Sequence, residues 1–499
     1  MTALVRRLCS LVCVLAGSPV LLLAGESGRA PAVPLYAAVP FVLLLLAIAI
    51  VPFLHRHWWE KYYPLVAVGL GIPPVLYYSV VLSNAERVLH AASEYVSFIA
   101  LIGSLFVVAG GIHIRIRGRS TAEANLFLLA IGAVVSNLLG TTGASMILIR
   151  PYIRVNRYRL RPYHIVFFIF VVSNMGGALT PIGDPPLFLG YLRGVPFFWV
   201  AEALWGKWLL AMALILAIFY VIDRYQFHRL SRRLQRSAEV EPERGEVTGL
   251  SNILFLAVIL AAVFVTHPIF VREILMLAAA AGSYLTTRKE IHRKNDFNFL
   301  PIKEVALLFL GIFATMVPAL DWLELNAGTL GVRSVASFYW ATGVLSSFLD
   351  NAPTYLNFLS AQTGLLVPPY AVAHLQGLIA TYGADPSPVS GSLPPDIRNA
   401  LAALFRFHYD QVAAGSVPPY EIATLYLLAN YPLHLQAISL AAVFFGACTY
   451  IGNGPNFMVK SIAQQAGVEM PSFFGYVVRF SVPVLLPIFW ATQVLFFRL

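Results

Sequence analysis

Long apolar runs separated by short polar loops repeat along the whole chain. Most of these runs are close to the roughly 20 residues that an α-helix needs to cross a bilayer. The pattern therefore predicts ten membrane-spanning segments, at residues 34–53, 64–83, 95–113, 163–192, 197–222, 250–267, 270–287, 304–320, 430–459 and 475–497.

Two apolar stretches, 124–149 and 335–360, are left over and are predicted to form re-entrant helical hairpins. Three arginines precede the first stretch within 115–119, and five follow it within 150–161. Because loops rich in Lys and Arg stay in the cytoplasm, both ends of this stretch are expected there, with a turn near 140–143. The second stretch is expected to enter from the opposite face. This topology places 22 Lys and Arg residues inside and 7 outside.

The same order of segments occurs in both halves, which predicts an all-α polytopic membrane protein with two inverted-topology repeats. Each repeat has about five transmembrane helices and one hairpin, with helices broken at the bilayer midplane. The repeats cover 34–222 and 250–497, and 223–249 is the predicted cytoplasmic linker. The hairpin motif at 134–143 corresponds to 344–353, and the later broken-helix motif at 183–188 corresponds to 452–457.

The two motifs are farther apart in the second half than in the first, which indicates an extracytoplasmic insertion at about 361–430. The insertion is rich in proline, and five of its residues follow helical spacing, namely Ile397, Leu401, Leu404, Phe405 and His408. We expect one or two amphipathic helices on the outer surface.

Residues 1–25 have the layout of a secretory signal peptide, with Arg6 and Arg7 followed by an apolar stretch up to Leu23. An uncleaved first helix is the alternative. If the segment is cleaved, the mature chain is expected to start outside the membrane.

Composition narrows the class of protein. Hydrophobic residues make up 59% of the chain and charged residues 12%, so a soluble protein is excluded and the lipid bilayer is the expected partner. The excess of 34 basic over 24 acidic residues lies mostly in loops, which indicates orientation in the membrane rather than nucleic-acid binding. Cys9, Cys13 and Cys448 form neither a disulfide framework nor a zinc cluster. The sequence contains no ATP-binding loop, so we expect an ion gradient as the energy source. It contains no His-Glu-x-x-His pair, so we expect no enzyme activity. We also expect no cofactor and no metal other than transported sodium.

Residues that interrupt helices stand in corresponding places of the two halves. A helix broken inside the membrane leaves unpaired N–H groups at one end and unpaired carbonyls at the other, which can hold an ion. The predicted helix-breaking residues at this site are Gly140, Gly143, Gly183, Pro185, Pro353, Gly452, Gly454 and Pro455. The polar residues predicted to bind the ion or substrate are Asn137, Thr141, Thr142, Asn351, Thr354, Asn453 and Asn456. The alternative is that these small residues only let helices pack closely.

Asp184 and Asp350 are the acidic candidates, one at a break in each half. A charged carboxylate near the bilayer centre is costly, so it is kept there mainly when it pairs, takes up a proton or binds a cation. We predict that both bind the transported ion; the alternative is that each caps a half-helix. Lys207 is predicted to extend towards the membrane surface, with pairing to an aspartate as the alternative. Glu94 borders a span and is expected in water.

Four motifs carry a resemblance to the ion-transporter superfamily: Ser-Asn-Leu-Leu-Gly-Thr-Thr-Gly at 136–143, Gly-Asp-Pro-Pro-Leu-Phe at 183–188, Asp-Asn-Ala-Pro-Thr at 350–354 and Gly-Asn-Gly-Pro-Asn at 452–456. That superfamily includes NhaD-type sodium/proton antiporters, CitMHS-type citrate carriers, arsenite permeases and divalent-anion/sodium symporters. The resemblance implies two inverted repeats, often in a homodimer with elevator-type movement.

The individual motifs point to particular branches. The Asp-Asn-x-Pro element is most similar to the sodium/proton antiporters, which implies that Asp350 and Asn351 handle ions. The closest overall similarity is to a bacterial group described as citrate transporters or sodium:proton antiporters, which implies the bacterial inner membrane. The anion symporters carry Ser-Asn-Thr at both hairpin tips, whereas the tips here read Gly-Thr-Thr-Gly and Asp-Asn-Ala-Pro. This difference disfavours a simple dicarboxylate site.

These observations predict a secondary active transporter, with sodium/proton antiport as the first hypothesis. In it, Asp184 and Asp350 exchange protons for sodium, and Asn and Thr oxygens complete the shell of the cation. The alternative is transport of citrate or a related carboxylate, held by half-helix N-termini and coupled to sodium, protons or a chelated metal. The scarcity of basic residues at the breaks counts against a bare trianion but not against a metal complex.

Overall fold

The computed structural model describes residues 31–115, 120–229, 246–265, 268, 270–383, 393–415 and 417–498. The predicted signal peptide or first helix at 1–25 lies outside the described residues. Residues from Ala32 onwards belong to one structural unit.

Helices dominate the described residues. The first half contains α1 (Val39–Leu54), α2 (Arg56–Leu76), α3 (Ala85–Gly110), α4 (Ala122–Val155), α5 (Pro162–Val171), α6 (Pro185–Leu192) and α7 (Phe197–His228), with 3-10 turns at Leu35–Ala38 and Met175–Gly177 and a π-helical turn at Tyr77–Val81. The second half begins with α8 (Asn252–Ala262), α9 (Val271–Thr286), α10 (Lys289–Lys294), α11 (Leu300–Asn326), α12 (Val335–Phe348), α13 (Asn351–Leu366) and α14 (Pro369–Tyr382), with a 3-10 turn at Ala327–Thr329. It ends with α15 (Pro395–Phe407), α16 (Tyr409–Ala413), α17 (Pro419–Asn430), α18 (Pro432–Phe445), α19 (Gly454–Gln465), α20 (Phe473–Tyr476) and α21 (Leu486–Phe496), with a 3-10 turn at Gly446–Cys448 and a π-helical segment at Val477–Leu485.

Many of these helices are suited to a bilayer. Among the described residues, seven helical segments are long and apolar enough to cross a membrane: Leu35–Pro52, His57–Val81, Ala85–Gly110, Ala122–Val155, Phe197–His228, Leu300–Thr329 and Phe473–Phe496. A bent pair, Pro419–Asn430 with Pro432–Cys448, forms an eighth candidate with an angle of 104°. The predicted all-α polytopic membrane architecture is confirmed.

The first predicted hairpin is present inside α4. The side chains of Asn125 and Asn156 exchange two hydrogen bonds of 2.8 Å, although a straight helix would separate these residues by about 46 Å. The chain reverses at Gly140, whose φ of 73° and ψ of 157° are not helical. Glycine adopts a positive φ without the steric cost that other residues meet. The 34-residue α4 is therefore two antiparallel arms rather than one membrane span.

The second predicted hairpin is formed by α12 and α13, which meet at Leu349 and Asp350. The rings of Phe338 and Phe358 lie 6.3 Å apart between centroids. In a continuous helix these residues would be separated by about 30 Å, so the two helices fold back on each other.

Two predicted spans are broken helices. In the segment predicted at 163–192, α5 ends at Val171 and α6 begins at Pro185, with a 3-10 turn and irregular chain between them. In the segment predicted at 430–459, α18 is followed by a 3-10 turn, and α19 begins at Gly454. Pro185 and Gly454 occupy equivalent positions in the two broken-helix motifs, so the second half of each broken span begins at the same place.

The predicted insertion contains α14 to α17. In α15, Ile397, Leu401 and Leu404 are buried, as expected of an amphipathic helix, and Phe405 is half-buried. His408, which follows the helix, is also half-buried. Helix α17 differs from the expectation of surface helices, because its residues 422–428 are all buried. It continues through the bend into α18, and this connection brings one end of the insertion into the protein interior.

The helix α7 continues past the predicted boundary at 222 and ends at His228. Near its end Asp223 is fully buried and forms an ion pair with Arg159. Tyr163 and Asn125 also donate hydrogen bonds to Asp223, at 2.6 and 3.1 Å. These contacts hold the base of the first hairpin against α7. Further along the predicted linker, strand β2 (Glu246–Thr248) pairs antiparallel with β1 (His113–Arg115).

Asp223→Ala is expected to destabilise the protein by about 3 kcal/mol or more, because it leaves the Arg159 guanidinium buried without its partner. The midpoint of thermal unfolding of the detergent-solubilised protein measures this loss. Asp410, which is exposed, offers the control Asp410→Ala, with a midpoint close to that of the wild type. Equal midpoints for the two variants would contradict a structural role for the buried ion pair.

Candidate functional site

The two breaks are built by the same local contacts. In the first half, the hydroxyl of Thr180 donates to the Asn137 carbonyl at 2.7 Å and accepts from the Gly183 N–H at 3.0 Å. The second half repeats this arrangement at the equivalent positions of its own motifs, through Thr449, Ser347 and Gly452. Each threonine therefore connects a hairpin tip to the broken helix of its own half.

Both breaks also depend on close approach of backbone to backbone. A Cβ at Gly183 would overlap the carbonyl oxygen of Gly177, and a Cβ at Gly452 would lie 2.6 Å from that of Gly446. Only glycine fits these two positions without a shift of the neighbouring chain.

Asp184 lies where these elements meet. Its Oδ1 accepts hydrogen bonds from the Thr141 hydroxyl at 2.6 Å and from Asn453 Nδ2 at 3.0 Å. Its Oδ2 accepts from Asn351 Nδ2 at 2.5 Å. The residue is only 1% exposed. A single buried carboxylate thus joins both hairpin tips and both breaks.

The partners of Asp184 occupy equivalent positions in the two halves. Thr141 and Asn351 correspond to each other in the two hairpin motifs, and Asp184 and Asn453 correspond in the two broken-helix motifs. The second half carries a neutral amide where the first half carries the carboxylate. Among these four corresponding residues, Asp184 is the acidic one and its three partners are neutral.

Asn351 adds an unsatisfied acceptor beside the carboxylate. The residue is fully buried, and its Oδ1 accepts no hydrogen bond from the described residues. Together with the Asp184 carboxylate and the Thr141 hydroxyl oxygen, it presents the hard oxygen ligands that alkali and alkaline-earth cations prefer.

A small cleft opens beside this cluster. It is lined by Thr141, Thr142, Gly183 and Asp184 on its polar side, and by apolar residues that include Leu105 and Phe188. The cavity measures about 20 Å³, which is enough for one water-sized species. Thr142, a predicted site residue, is half-buried in this lining.

Asp350 plays a different part. Its carboxylate accepts the Ala352 N–H at 3.1 Å and so caps the N-terminus of α13, while its carbonyl accepts the Thr354 hydroxyl at 2.9 Å. Thr354 is thereby bonded to the backbone of its own helix. The capping alternative fits Asp350, whereas Asp184 makes no such bond at the start of α6.

Asp350→Ala is expected to cost about 1 kcal/mol of stability, because it removes the cap of α13, and Asp350→Asn is expected to cost a few tenths at most. Unfolding in detergent by heat compares the two variants with the wild type. A larger loss for the asparagine variant than for the alanine variant would contradict the capping role.

The remaining predicted residues support the breaks. Asn137 donates to the Gly176 carbonyl at 2.7 Å and accepts from the Leu179 N–H at 2.9 Å. Asn456 donates to the Gly446 carbonyl at 2.8 Å. Gly143 lies within a helical arm of α4 and does not break it, so the prediction for this residue is wrong. Four other predicted helix-breaking residues lie in the first turns of the half-helices: Pro185 in α6, Pro353 in α13, and Gly454 and Pro455 in α19.

Asn174 was not predicted from the sequence as a site residue. It donates to Asn456 Oδ1 at 2.7 Å and accepts from Asn453 Nδ2 at 3.2 Å, so it links the two breaks. Thr180 and Thr449 were missed as well. The signal for Asn174 was the polar pair at 173–174 shortly before two glycines. The signal for Thr180 and Thr449 was a threonine three residues before the glycine of each break.

Two charged residues outside this cluster are now accounted for. Lys207 donates to the Ala203 carbonyl at 3.0 Å and lies 5.0 Å from the ring centroid of Phe496, so the described structure does not pair it with either aspartate. Glu94 was expected in water, but it is 5% exposed and paired with Arg193. The expectation for Glu94 is wrong, because the end of helix α6 at Arg193 packs against its side chain.

A family model described as "Putative citrate transport" matches residues 30–497. No curated protein matches the chain. The matched family is of the CitMHS type that the motifs resemble, and the described helices are long and apolar enough to cross a membrane several times. The protein is therefore a multi-pass membrane protein and a secondary transporter. The chain belongs to the CitMHS-type citrate transport family.

Proposed function

We propose that this secondary transporter exchanges sodium for protons, and that Asp184 carries the two ions in turn. The observation that carries the proposal is the buried Asp184 carboxylate, which contacts Thr141, Asn351 and Asn453 from both halves of the chain. In the described structure its hydrogen-bond partners are neutral. As the family resemblance implies, we further propose that the protein lies in the bacterial inner membrane. We also propose that it consists of two inverted repeats and forms a homodimer.

The physical reason is the cost of a buried charge. A carboxylate in the membrane interior costs several kcal/mol if it stays ionised and unpaired. Neutral hydrogen-bond donors lower this cost but do not cancel the charge. Asp184 therefore favours either a bound proton or a bound cation, and the two compete for the same oxygens.

The surrounding oxygens suit a cation. The unsatisfied Oδ1 of Asn351 and the hydroxyl oxygen of Thr141 lie on residues that already contact Asp184. When a proton occupies the carboxylate, Asp184 is neutral like its partners, and the four residues carry no charge. When sodium occupies it, they supply further ligands, so the same cage accepts both ions.

Citrate transport is the second candidate, and the family description favours it. Carboxylate groups bind at helix N-termini, and the half-helices α6, α13 and α19 begin close to the site. In this alternative Asp184 holds the coupling cation of a symporter. The neutral partners of Asp184 disfavour a bare trianion, but they accept an anion whose charge is offset by sodium, protons or a metal.

Purified protein in proteoliposomes with a trapped pH dye tests the proposal. Sodium, lithium and citrate are added outside in turn. We expect sodium to change the lumenal pH without citrate, and empty liposomes to show no such change. A response that requires citrate would reject antiport and favour coupled citrate transport.

A further inference from the structure

The helix that carries Asp184 at its start carries an ion pair at its end. Helix α6 runs from Pro185 to Leu192, with Asp184 as its N-cap and Arg193 as its C-cap. Eight residues of helix span about 12 Å, so the two caps are joined by a short rigid rod. A contact that fixes Arg193 therefore also limits where Asp184 can lie.

Arg193 is held by Glu94 of α3. Its Nε lies 2.6 Å from Glu94 Oε1, and its terminal nitrogen donates to Oε2 at 3.0 Å. One charge-assisted hydrogen bond and a second close N···O contact therefore hold the guanidinium against the carboxylate. Glu94 is buried and Arg193 is half-buried, so loss of Arg193 leaves a buried charge uncompensated, and loss of Glu94 leaves a half-buried one.

The turn after α6 packs against the insertion. Gly194 has a φ of 96°, and a Cβ there would lie 3.1 Å from the Glu421 Cα at the start of α17. His408, which follows α15, has its Nε2 3.2 Å from the Gly194 carbonyl oxygen and its Nδ1 3.4 Å from Glu421 Oε2. The end of α6 is thus held between α3 on one side and the insertion on the other.

The second half lacks this arrangement at the equivalent position. In the alignment that matches Asp184 to Asn453, Arg193 corresponds to Ile462, which lies inside α19. At this position the first broken helix ends and Arg193 makes a charged contact. The second broken helix continues there and carries an apolar residue. The half with the carboxylate is therefore also the half whose broken helix is fixed at its far end.

We propose that Glu94 and Arg193 are positioning residues for Asp184, and that the insertion at His408 and Glu421 completes the support of α6. The pair holds α6 in the register in which Asp184 reaches Thr141, Asn351 and Asn453. This inference rests on the proposed role of Asp184 in binding sodium. It also assigns a role to the insertion, whose presence in the second half is explained neither by the repeats nor by the ion site.

A double-mutant cycle tests the proposal, with Glu94→Gln, Arg193→Gln and the combined variant. The single variants are expected to raise the sodium concentration for half-maximal transport about 10-fold or more, as loss of supporting contacts around ion ligands commonly does. The combined variant removes both charges and leaves two amides that can bond to each other, so its shift is expected to be smaller than the sum of the single shifts. Lys207→Gln, which removes a cation that has no contact with Asp184 in the described structure, is the control.

A second measurement does not depend on transport. Thr142→Cys, in a background with Cys9, Cys13 and Cys448 replaced by serine, reports access to the cleft through its rate of maleimide labelling. We expect faster labelling in both single variants and a rate near that of the parent in the combined variant.

The outcomes separate this proposal from the proposed function. Unchanged labelling and an unchanged half-maximal sodium concentration in both single variants would overturn the positioning role. Additive effects in the combined variant would also overturn it, because the two residues would then act independently. If the wild type moves no sodium but labelling follows the ion pair, sodium exchange is rejected and the positioning role stands.

Discussion

Asp184→Asn is expected to reduce sodium-driven proton movement to below about one hundredth of the wild-type rate, an effect of about 2.7 kcal/mol or more on the transport barrier. The carboxamide neither takes up a proton at physiological pH nor offsets the charge of sodium. The asparagine has nearly the same size, and its oxygen can still accept from Thr141. The fold should therefore persist while exchange is lost. The initial rate of the lumenal pH change in proteoliposomes measures the effect.

Asp350→Asn is the matched control for this experiment. It removes the other carboxylate at a break, but an asparagine still caps α13 through the Ala352 N–H. We expect Asp350→Asn to keep roughly half or more of the wild-type exchange rate, because a retained helix cap costs only a few tenths of a kcal/mol of stability. Loss of exchange in Asp350→Asn together with normal exchange in Asp184→Asn would reverse the roles assigned to the two aspartates.

Gly183→Ala is expected to destabilise the protein by about 3 kcal/mol or more, at the upper end of what overpacking costs. The added methyl group would overlap the Gly177 carbonyl oxygen, and the facing atoms belong to backbone that cannot rotate away. The shift would also move the Gly183 carbonyl, which accepts the Thr141 N–H at 2.8 Å. Thermal unfolding in detergent and sodium exchange in liposomes should both be impaired.

Gly454→Ala distinguishes this effect from a general intolerance of the breaks. Gly454 also lies at the start of a half-helix, but a Cβ there would have no atom within 4 Å. Its unfolding midpoint and exchange rate should stay close to those of the wild type. Equal damage from the two substitutions would show that the close approach at Gly183 is not the cause.

Much of the fold could be predicted because its signals are local. An apolar run of membrane length predicts a spanning helix, and arginines at both ends of one run predicted the hairpin that Asn125 and Asn156 now close. Glycine permits backbone angles that other residues avoid, and proline removes a helical hydrogen bond, so the breaks at Gly140 and Pro185 were predicted within a few residues. The burial of α17 was not predicted, because it depends on the bend that joins this helix to α18.

The site was predicted as a set of residues but not as a set of contacts. Asp184 and Asp350 look alike in the sequence, since each precedes a proline-containing helix start. The structure separates them by their partners: one carboxylate meets three side chains, and the other meets the backbone of its own helix. Asn174 was missed because its partners lie in the other half of the chain.

The sequence by itself determined most of the long apolar helices, the places where helices break and which polar residues stand at the breaks, because each of these depends on the chemistry of a few neighbouring residues. Only the tertiary structure decided that Asp184 is the carboxylate at the centre and that Glu94 is buried. The partners of Asp184 lie 43, 167 and 269 positions away along the chain. Contacts over such separations arise from the packing of whole helices, so local sequence does not encode them one by one.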